Sequence, residues 1–319
     1  MTNIKDLAKI ARVSVTTVSR VLNNHPYVSE EKRMAVLKAI KDTNYNKNIN
    51  AVHLSKGKTL MIGVVLPYSD HPYFSLLLKG IANEALKNNY KLVLFQTDYL
   101  EQREMEALEM LKQKQIDSVI ICSRASDWKT IEEHLSFGKI VVCENMTERH
   151  VSSTYVDHYK TFLEALEFLF SKGYEKIGYC IGRKTGSNSL ARECAYRDFM
   201  NKHNLSYTAE YIIDDCLYFE DGEKVMKKIR GMVEPPEALL VTSDQVAAGI
   251  VTYCHNNHIA IPDELAIIGF DNEPIAKLMN ITTIHIPLED MGKSLFLQAV
   301  SKERTNNEVM IKLIERGTA

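Results

Sequence analysis

The 319 residues are 45% hydrophobic and 25% charged with a net charge of −2, a length that accommodates more than one packed core. No apolar run approaches the roughly 18 residues of a membrane span, and the opening MTNIKDLAKIARVS lacks the apolar stretch of an export signal, so a cytosolic, reduced protein is expected. The six cysteines are scattered with no CxxC pair and no His at zinc spacing, which argues against a metal ribbon or a disulfide scaffold and for buried free thiols.

Charge divides the chain. Residues 1–58 carry 11 basic and 4 acidic side chains, a net of +7, whereas the remainder carries 28 and 37, a net of −9. A basic module on an acidic body suggests that one end meets a polyanion. IKDLAKIA (4–11) sets Ile4, Leu7, Ala8 and Ala11 on one helical face. RVS then makes a tight connection, and Ser14 is a suitable N-cap for a second helix from Val15 to Leu22. That helix buries Val18, Val21 and Leu22 and turns Val15, Thr16, Ser19 and Arg20 outward. NNHP ends it. Ser29 is expected to cap a third helix, with Glu30 and Glu31 in its first turn and Val36, Leu37 and Ile40 on its apolar side.

Two short helices joined by about three residues, closed by a third, form a helix-turn-helix, whose second helix sets its first residues against base edges in the major groove. Val15 and the Thr16 methyl suit thymine methyls, and the hydroxyls with Arg20 suit bases or phosphates. The plainer reading is a three-helix bundle used for packing, but bulky apolar side chains on the outer face of the second helix are missing.

This stretch resembles the headpiece of the lac-repressor (LacI/GalR) family of bacterial transcription regulators. Ile4, Asp6, Leu7, Ala8, Ala11, Val13, Ser14, Thr17, Val18, Ser19, Arg20, Leu22, Asn23, Val28, Ser29 and Arg33 match its pattern. The resemblance implies Val15, Thr16 and Arg20 as base readers. It implies Ser14, Thr17, Ser19, Asn23, Tyr27, Ser29 and Arg33 as backbone or supporting contacts.

NKNINAVHLSKGKT (46–59) reads as a polar linker. The resemblance makes it a hinge helix that enters the minor groove, with Leu54 as a wedge between base pairs and Ala51 also matching. Two departures stand out: Lys47 replaces the usual Pro, and AVHL replaces A-R-x-L, so that His53 lies beside the wedge.

From residue 60 the chain alternates strands and helices. LMIGVVLP (60–67), KLVLFQT (91–97), SVIIC (118–122) and IVVCEN (140–145) read as buried parallel strands, with helices around 74–88, 101–114 and 126–137. After STYVDH a second series follows: KIGYCIG (176–182), EYIID (210–214), ALLVTS (238–243) and LAIIGFD (265–271), separated by helices near 160–172, 190–203, 219–231 and 244–258. Two doubly wound parallel-sheet α/β lobes are expected, with ligands between their facing strand ends.

This body resembles the family's effector domain, which is similar to periplasmic sugar-binding proteins. The resemblance sends a last helix near 288–301 to the first lobe and a terminal strand near 309–315 to the second. The expected layout is a headpiece at 1–45, a hinge at 46–59 and an effector and dimerisation body at 60–319. Lobe 1 takes about 60–156 and 288–304, and lobe 2 about 157–287 and 305–319.

Effector candidates sit at strand ends: Asp70, Tyr73, Phe74, Ser123, Arg124, Glu144, Arg192, Leu217, Ser243 and Asp271. Arg192 and Asp271 match family positions and would fix a polar ring substituent. Leu217 stands where the family usually has a stacking aromatic, Ser243 replaces an Asn, and Ala195 replaces a Gly. The effector is left open among a sugar, a sugar phosphate, a nucleobase or another small polar metabolite. For each candidate the plainer alternative is a salt bridge or cap on a strand–helix loop.

No GxSxG, HExxH, P-loop or GxGxxG accompanies this body, and CIGRKTG (180–186) lacks the closing GK[ST]. No cofactor or metal is expected. The expected function is a dimeric, DNA-binding transcriptional regulator, a repressor by family, that recognises a pseudo-palindromic operator under control of a small effector. The competing expectation is a small-molecule-processing α/β enzyme fused to a DNA-binding headpiece.

Overall fold

The computed structural model describes residues 2–46, 57–146 and 150–319. They form two compact units, Met1–Lys58 and Thr59–Ala319, each considered by itself. Leu54, Ala51 and His53, with most of the expected hinge, lie outside the described residues.

The first unit is three helices, α1 (Ile4–Ile10), α2 (Val15–Leu22) and α3 (Glu30–Thr43). Asn3 caps α1: its side chain accepts from the Lys5 and Asp6 amides while Asp6 reaches back to the Asn3 amide, satisfying donors that a helix start leaves open. Ser14 caps α2 by accepting from the Thr17 amide at 3.1 Å. Ser29 holds the N-cap position of α3, but its hydroxyl makes no capping bond, a correction to its expected role. The core is Leu7, Ala8, Val18, Val21, Val36 and Ala39. Leu22 and Ile40 are half-buried and pack against this core as expected, whereas Leu37 is 47% exposed, so the apolar side of α3 runs through Val36, Ala39 and Ile40.

The second unit holds two six-stranded sheets. The first is ordered β2 (Lys91–Gln96), β1 (Met61–Leu66), β3 (Ser118–Ile121), β4 (Lys139–Val142), β5 (Ser152–Tyr155), β11 (Asn306–Glu308), all parallel. The second is ordered β7 (Ile212–Ile213), β6 (Ile177–Cys180), β8 (Ala238–Val241), β9 (Ala266–Asp271), β10 (Thr282–His285), β12 (Lys312–Ile314). It is parallel except where β12 runs against β10. Strands β3, β4, β6, β8 and β9 are buried nearly throughout, as continuous apolar runs in a two-sided sheet must be.

Helices α4 (Pro72–Lys87), α5 (Glu101–Lys112) and α6 (Trp128–Glu132) belong to the first lobe. Helices α7 (His158–Ser171), α8 (Ser187–Lys202), α9 (Asp221–Arg230), α10 (Asp244–Asn256) and α11 (Pro274–Leu278) belong to the second. The last helix, α12 (Leu288–Val300), returns to the first lobe against α4. Two glycines set that crossing: a Cβ at Gly80 would lie 2.1 Å from the Glu289 carbonyl oxygen, and one at Gly292 would lie 2.2 Å from that of Leu77.

The chain passes between lobes after β5, after β10 and after β11. The boundary expected at 305 needs correction, because Asn306–Glu308 joins the first sheet beside β5 and only β12 joins the second. The helix expected at 126–137 shrinks to α6, capped by Asp127. Five cysteines are buried and unpaired, and Cys194 is exposed.

Candidate DNA-reading face and effector cleft

On the first unit, the start of α2 stands clear of the core. Ser14, Val15, Thr16 and Arg20 are exposed, Val15 to 41%, while Thr17 and Ser19 are half-buried. The Ser14 and Thr17 hydroxyls bond each other at 2.9 Å. Asn23 and Ser29 are exposed, and Tyr27 is 83% exposed beside His25. Arg33 donates to the His25 carbonyl at 2.8 Å, so it pins the loop between α2 and α3. Sequence reasoning missed Lys5, Lys9, Arg12 and Lys32, which line a shallow depression together with Ser14, Val15 and Thr17. The +7 charge of the segment was the signal for them.

In the second unit a cavity of about 140 Å³ lies between the strand ends of the two lobes. That is below the ~300–1,000 Å³ typical of drug-sized ligands and fits a compact occupant. Tyr73, Phe74, Ser123, Glu144, Arg192, Leu217, Ser243 and Asp271 line it. Asp70 and Arg124 do not: Asp70 accepts from the Tyr218 hydroxyl at 3.2 Å at the rim, and Arg124 pairs with Glu144 at 3.3 Å behind the wall. Missed were Tyr68, His71, Tyr99, His158, Arg183 and the start of α8 at Gly186–Ser189.

Arg192 anchors the cavity floor. Its Nη2 donates to His158 Nδ1 at 3.2 Å, and burial, then the guanidinium itself, holds the His158 imidazole well below the usual histidine range, neutral and accepting. Burial pushes the Asp271 carboxyl well up, reinforced by Asp244 and Glu273 and opposed by Arg192. Asp244, behind it, accepts from the Thr283 hydroxyl at 2.7 Å and the Glu273 amide at 2.8 Å. Burial nevertheless lifts it to about 7. Ser243 is spent on capping α10 at Gln245. Leu217 packs where a Cβ at Gly182 would come within 2.6 Å of it.

Tyr99 donates to or accepts from Ser123 at 3.2 Å and carries the Arg183 guanidinium 3.6 Å over its ring. Tyr99, Asp215 and Asp271 all hold left-handed backbone at φ 59°, 57° and 95°. Such conformations cost about 1–3 kcal/mol each and cluster at ligand sites.

Among the described residues, hydrogen bonds join the lobes around the cavity. Tyr218 donates to Asp70, Arg183 Nη2 donates to the Arg124 carbonyl at 3.3 Å, and the Ser187 hydroxyl donates to Glu144 at 2.8 Å. The lobes are therefore latched together.

A helix-turn-helix unit carried with a two-lobed α/β body that closes on a polar cavity defines a ligand-responsive DNA-binding protein. Residues 3–48 match the lacI family of bacterial regulatory proteins, and residues 59–314 match the periplasmic binding proteins and sugar-binding domain of the LacI family. The chain is 42% identical to the HTH-type transcriptional regulator YkvZ of Bacillus subtilis, over 100% of both, and 37% identical to the NTD biosynthesis operon regulator NtdR of the same organism, over 98% and 97%. A sucrose-bound LacI-family regulator from Lactobacillus casei shares the fold at TM-score 0.75 and 24% identity, covering 81% of this chain and 99% of that one. The chain belongs to the LacI family and is a DNA-binding transcriptional regulator with a small-molecule-binding body.

Proposed function

We propose that the protein is a cytoplasmic repressor that grips a pseudo-palindromic operator as a homodimer and loses or gains DNA affinity when a small polar metabolite, a sugar or sugar derivative, fills the cleft. The observation that carries this reading is the latched cavity floored by Arg192, His158 and Asp271. A ligand that touches both lobes binds their closed arrangement better than an open one, and only such differential affinity shifts an equilibrium. The sucrose held by a regulator of the same fold supports a sugar-like occupant. The ligand leaves chemically unchanged, so the protein is a sensor and not an enzyme.

On DNA, Val15, Thr16 and Arg20 read bases. Ser14, Thr17, Ser19, Asn23, Tyr27, Ser29 and Arg33 position the headpiece, and Lys5, Lys9, Arg12 and Lys32 add phosphate contacts. One headpiece offers too few contacts for specific binding, which calls for two on adjacent half-sites. Leu54 wedges the central step. The test is selection from random duplexes by the full chain. Native protein should enrich two-fold-related half-sites, and Arg20→Ala should lose about 1–3 kcal/mol of specific binding. A native protein that enriches no sequence refutes the proposal.

A further inference from the structure

The segment GRKTGSNS (182–189) has no role as a nucleotide loop, yet it forms one wall of the cleft. Helix α8 begins at Ser187 after Gly186, which supplies no capping side chain. Among the described residues the amides of Ser187, Asn188 and Ser189 have no acceptor, and the first helical bond is Leu190 to the Gly186 carbonyl. Three free N–H groups thus stand at the start of a 16-residue helix whose first residues line the half-open cleft, an arrangement that attracts oxyanions.

Two guanidinium groups flank these amides. Gly186 has φ 105°, and a Cβ there would lie 2.8 Å from Arg183 Nη2, so its missing side chain lets that guanidinium rest on the helix start. Arg192, one turn further along, shares the helical face of Asn188 and Ser189, and its Nε is buried with no hydrogen-bond partner. An unsatisfied buried cationic donor costs free energy unless a ligand meets it.

The opposing charges are accounted for. Glu144 is matched by Arg124 and accepts from Ser187. Lys184 pairs with Asp214 at the rim at 3.0 Å, and Asp70 is held by Tyr218. Asp271 is deeply buried, with its carboxyl pushed toward the neutral form, and His71 and His158 are held toward neutral by burial. The cationic side chains that line the cavity are Arg183 and Arg192, with the Arg124-paired Glu144 as the carboxylate beside Ser187.

We infer that the effector carries an oxyanion, a phosphate or a carboxylate, which seats on the Ser187–Ser189 amides between Arg183 and Arg192, while the rest of a compact polar molecule meets Ser123, Tyr73 and Asp271. This rests on the cleft being the effector site and narrows its occupant to a phosphorylated or acidic metabolite. Phosphate and carboxylate share this chemistry, and the probes below separate them.

The full chain is titrated with inorganic phosphate, acetate and glucose at constant ionic strength, and thermal unfolding of the body is followed. Phosphate or acetate should raise the body's Tm saturably, the stronger of the two identifying the anion class. Asn188→Asp sets a carboxylate in the first turn, where the helix dipole favours it and the fold is kept. It should weaken the anion at least about tenfold by repulsion across the cavity, and Arg183→Gln should weaken it similarly. No anion-dependent shift in the native chain overturns the inference. So does equal binding by native chain and N188D, which would locate the anion elsewhere, such as the basic headpiece. Glucose binding without anion binding defeats this inference and leaves the cleft as the effector site.

Discussion

Leu7→Ala should separate the two halves of the regulator. Leu7 is fully buried and is the largest side chain in a core otherwise made of Ala8, Val18, Val21, Val36 and Ala39. Truncating a buried leucine costs about 2–5 kcal/mol, through lost transfer energy and the cavity left behind. A unit of this size draws only about 3–5 kcal/mol from a single small core. The substitution therefore removes most or all of the headpiece's stability. The Thr59–Ala319 unit packs around separate cores and does not use Leu7. Calorimetry with operator-binding titrations checks the outcome: the headpiece transition and specific DNA binding should vanish at 37 °C, with the body transition in place. Leu7→Met, which conserves volume at a cost below about 1.5 kcal/mol, should retain both. A Leu7→Ala chain that binds operator like the native one would show that α2 is held by something other than this core.

Two further expectations concern the body. Tyr218→Phe removes the donor to Asp70 without altering packing. This bond to a carboxylate lies exposed to solvent, where about 0.5–1.5 kcal/mol is expected, so the open fraction of unliganded protein should rise roughly two- to tenfold in cross-lobe distance measurements, with the body's Tm unchanged; an unaltered distance distribution would remove Tyr218 from the latch. Asp244→Asn tests the buried acids. Asp244 ionises near 3.8 when unfolded but near 7 in the fold, so the native state binds the extra proton between those values and stability falls as pH rises through that window. His158 and His71, depressed by burial, act oppositely, costing stability as pH falls below about 6.5. The difference between variant and native chain isolates Asp244: urea unfolding should favour the variant more at pH 8 than at pH 5, by about 3 kcal/mol, since about two pH units of the window lie between them. A pH-independent difference would mean that Asp244 is ionised throughout.

What the sequence conveyed well was whatever rests on repetition of apolar residues. Strands β1, β3, β8 and β9 are runs of Val, Ile and Leu, and the headpiece core follows from helical spacing. The strands it hid are polar. Ser152–Tyr155 and Thr282–His285 are buried, yet their hydroxyls are satisfied by Asn306, Ser294, Gln298 and Asp244, partners remote in the chain. Burial of a polar side chain depends on such partners, and no local pattern announces them. The same limit moved β11 into the first sheet, because its residues are exposed and its only strand signal is pairing with β5.

The cleft was legible where strand ends carry family-matching side chains and obscure where a second lobe completes the wall. Leu217 reads as a deficit, since a stacking aromatic is expected there. The structure shows aromatic surface supplied from the opposite lobe by Tyr73, Phe74 and Tyr99, with Arg183 lying on Tyr99. An aromatic at 217 would also compete for space beside Gly182, where the Leu217 side chain already fills the approach. Where the resemblance leads one to expect a stacking aromatic, this cleft sets the Arg183 guanidinium against a helix start. A neutral ring gains most from a flat apolar platform, whereas a charged group gains from fixed dipoles and cations in a water-poor cavity. Under the inferred anion seat, restoring an aromatic at 217 should recover sugar stacking only when Arg183 is removed with it.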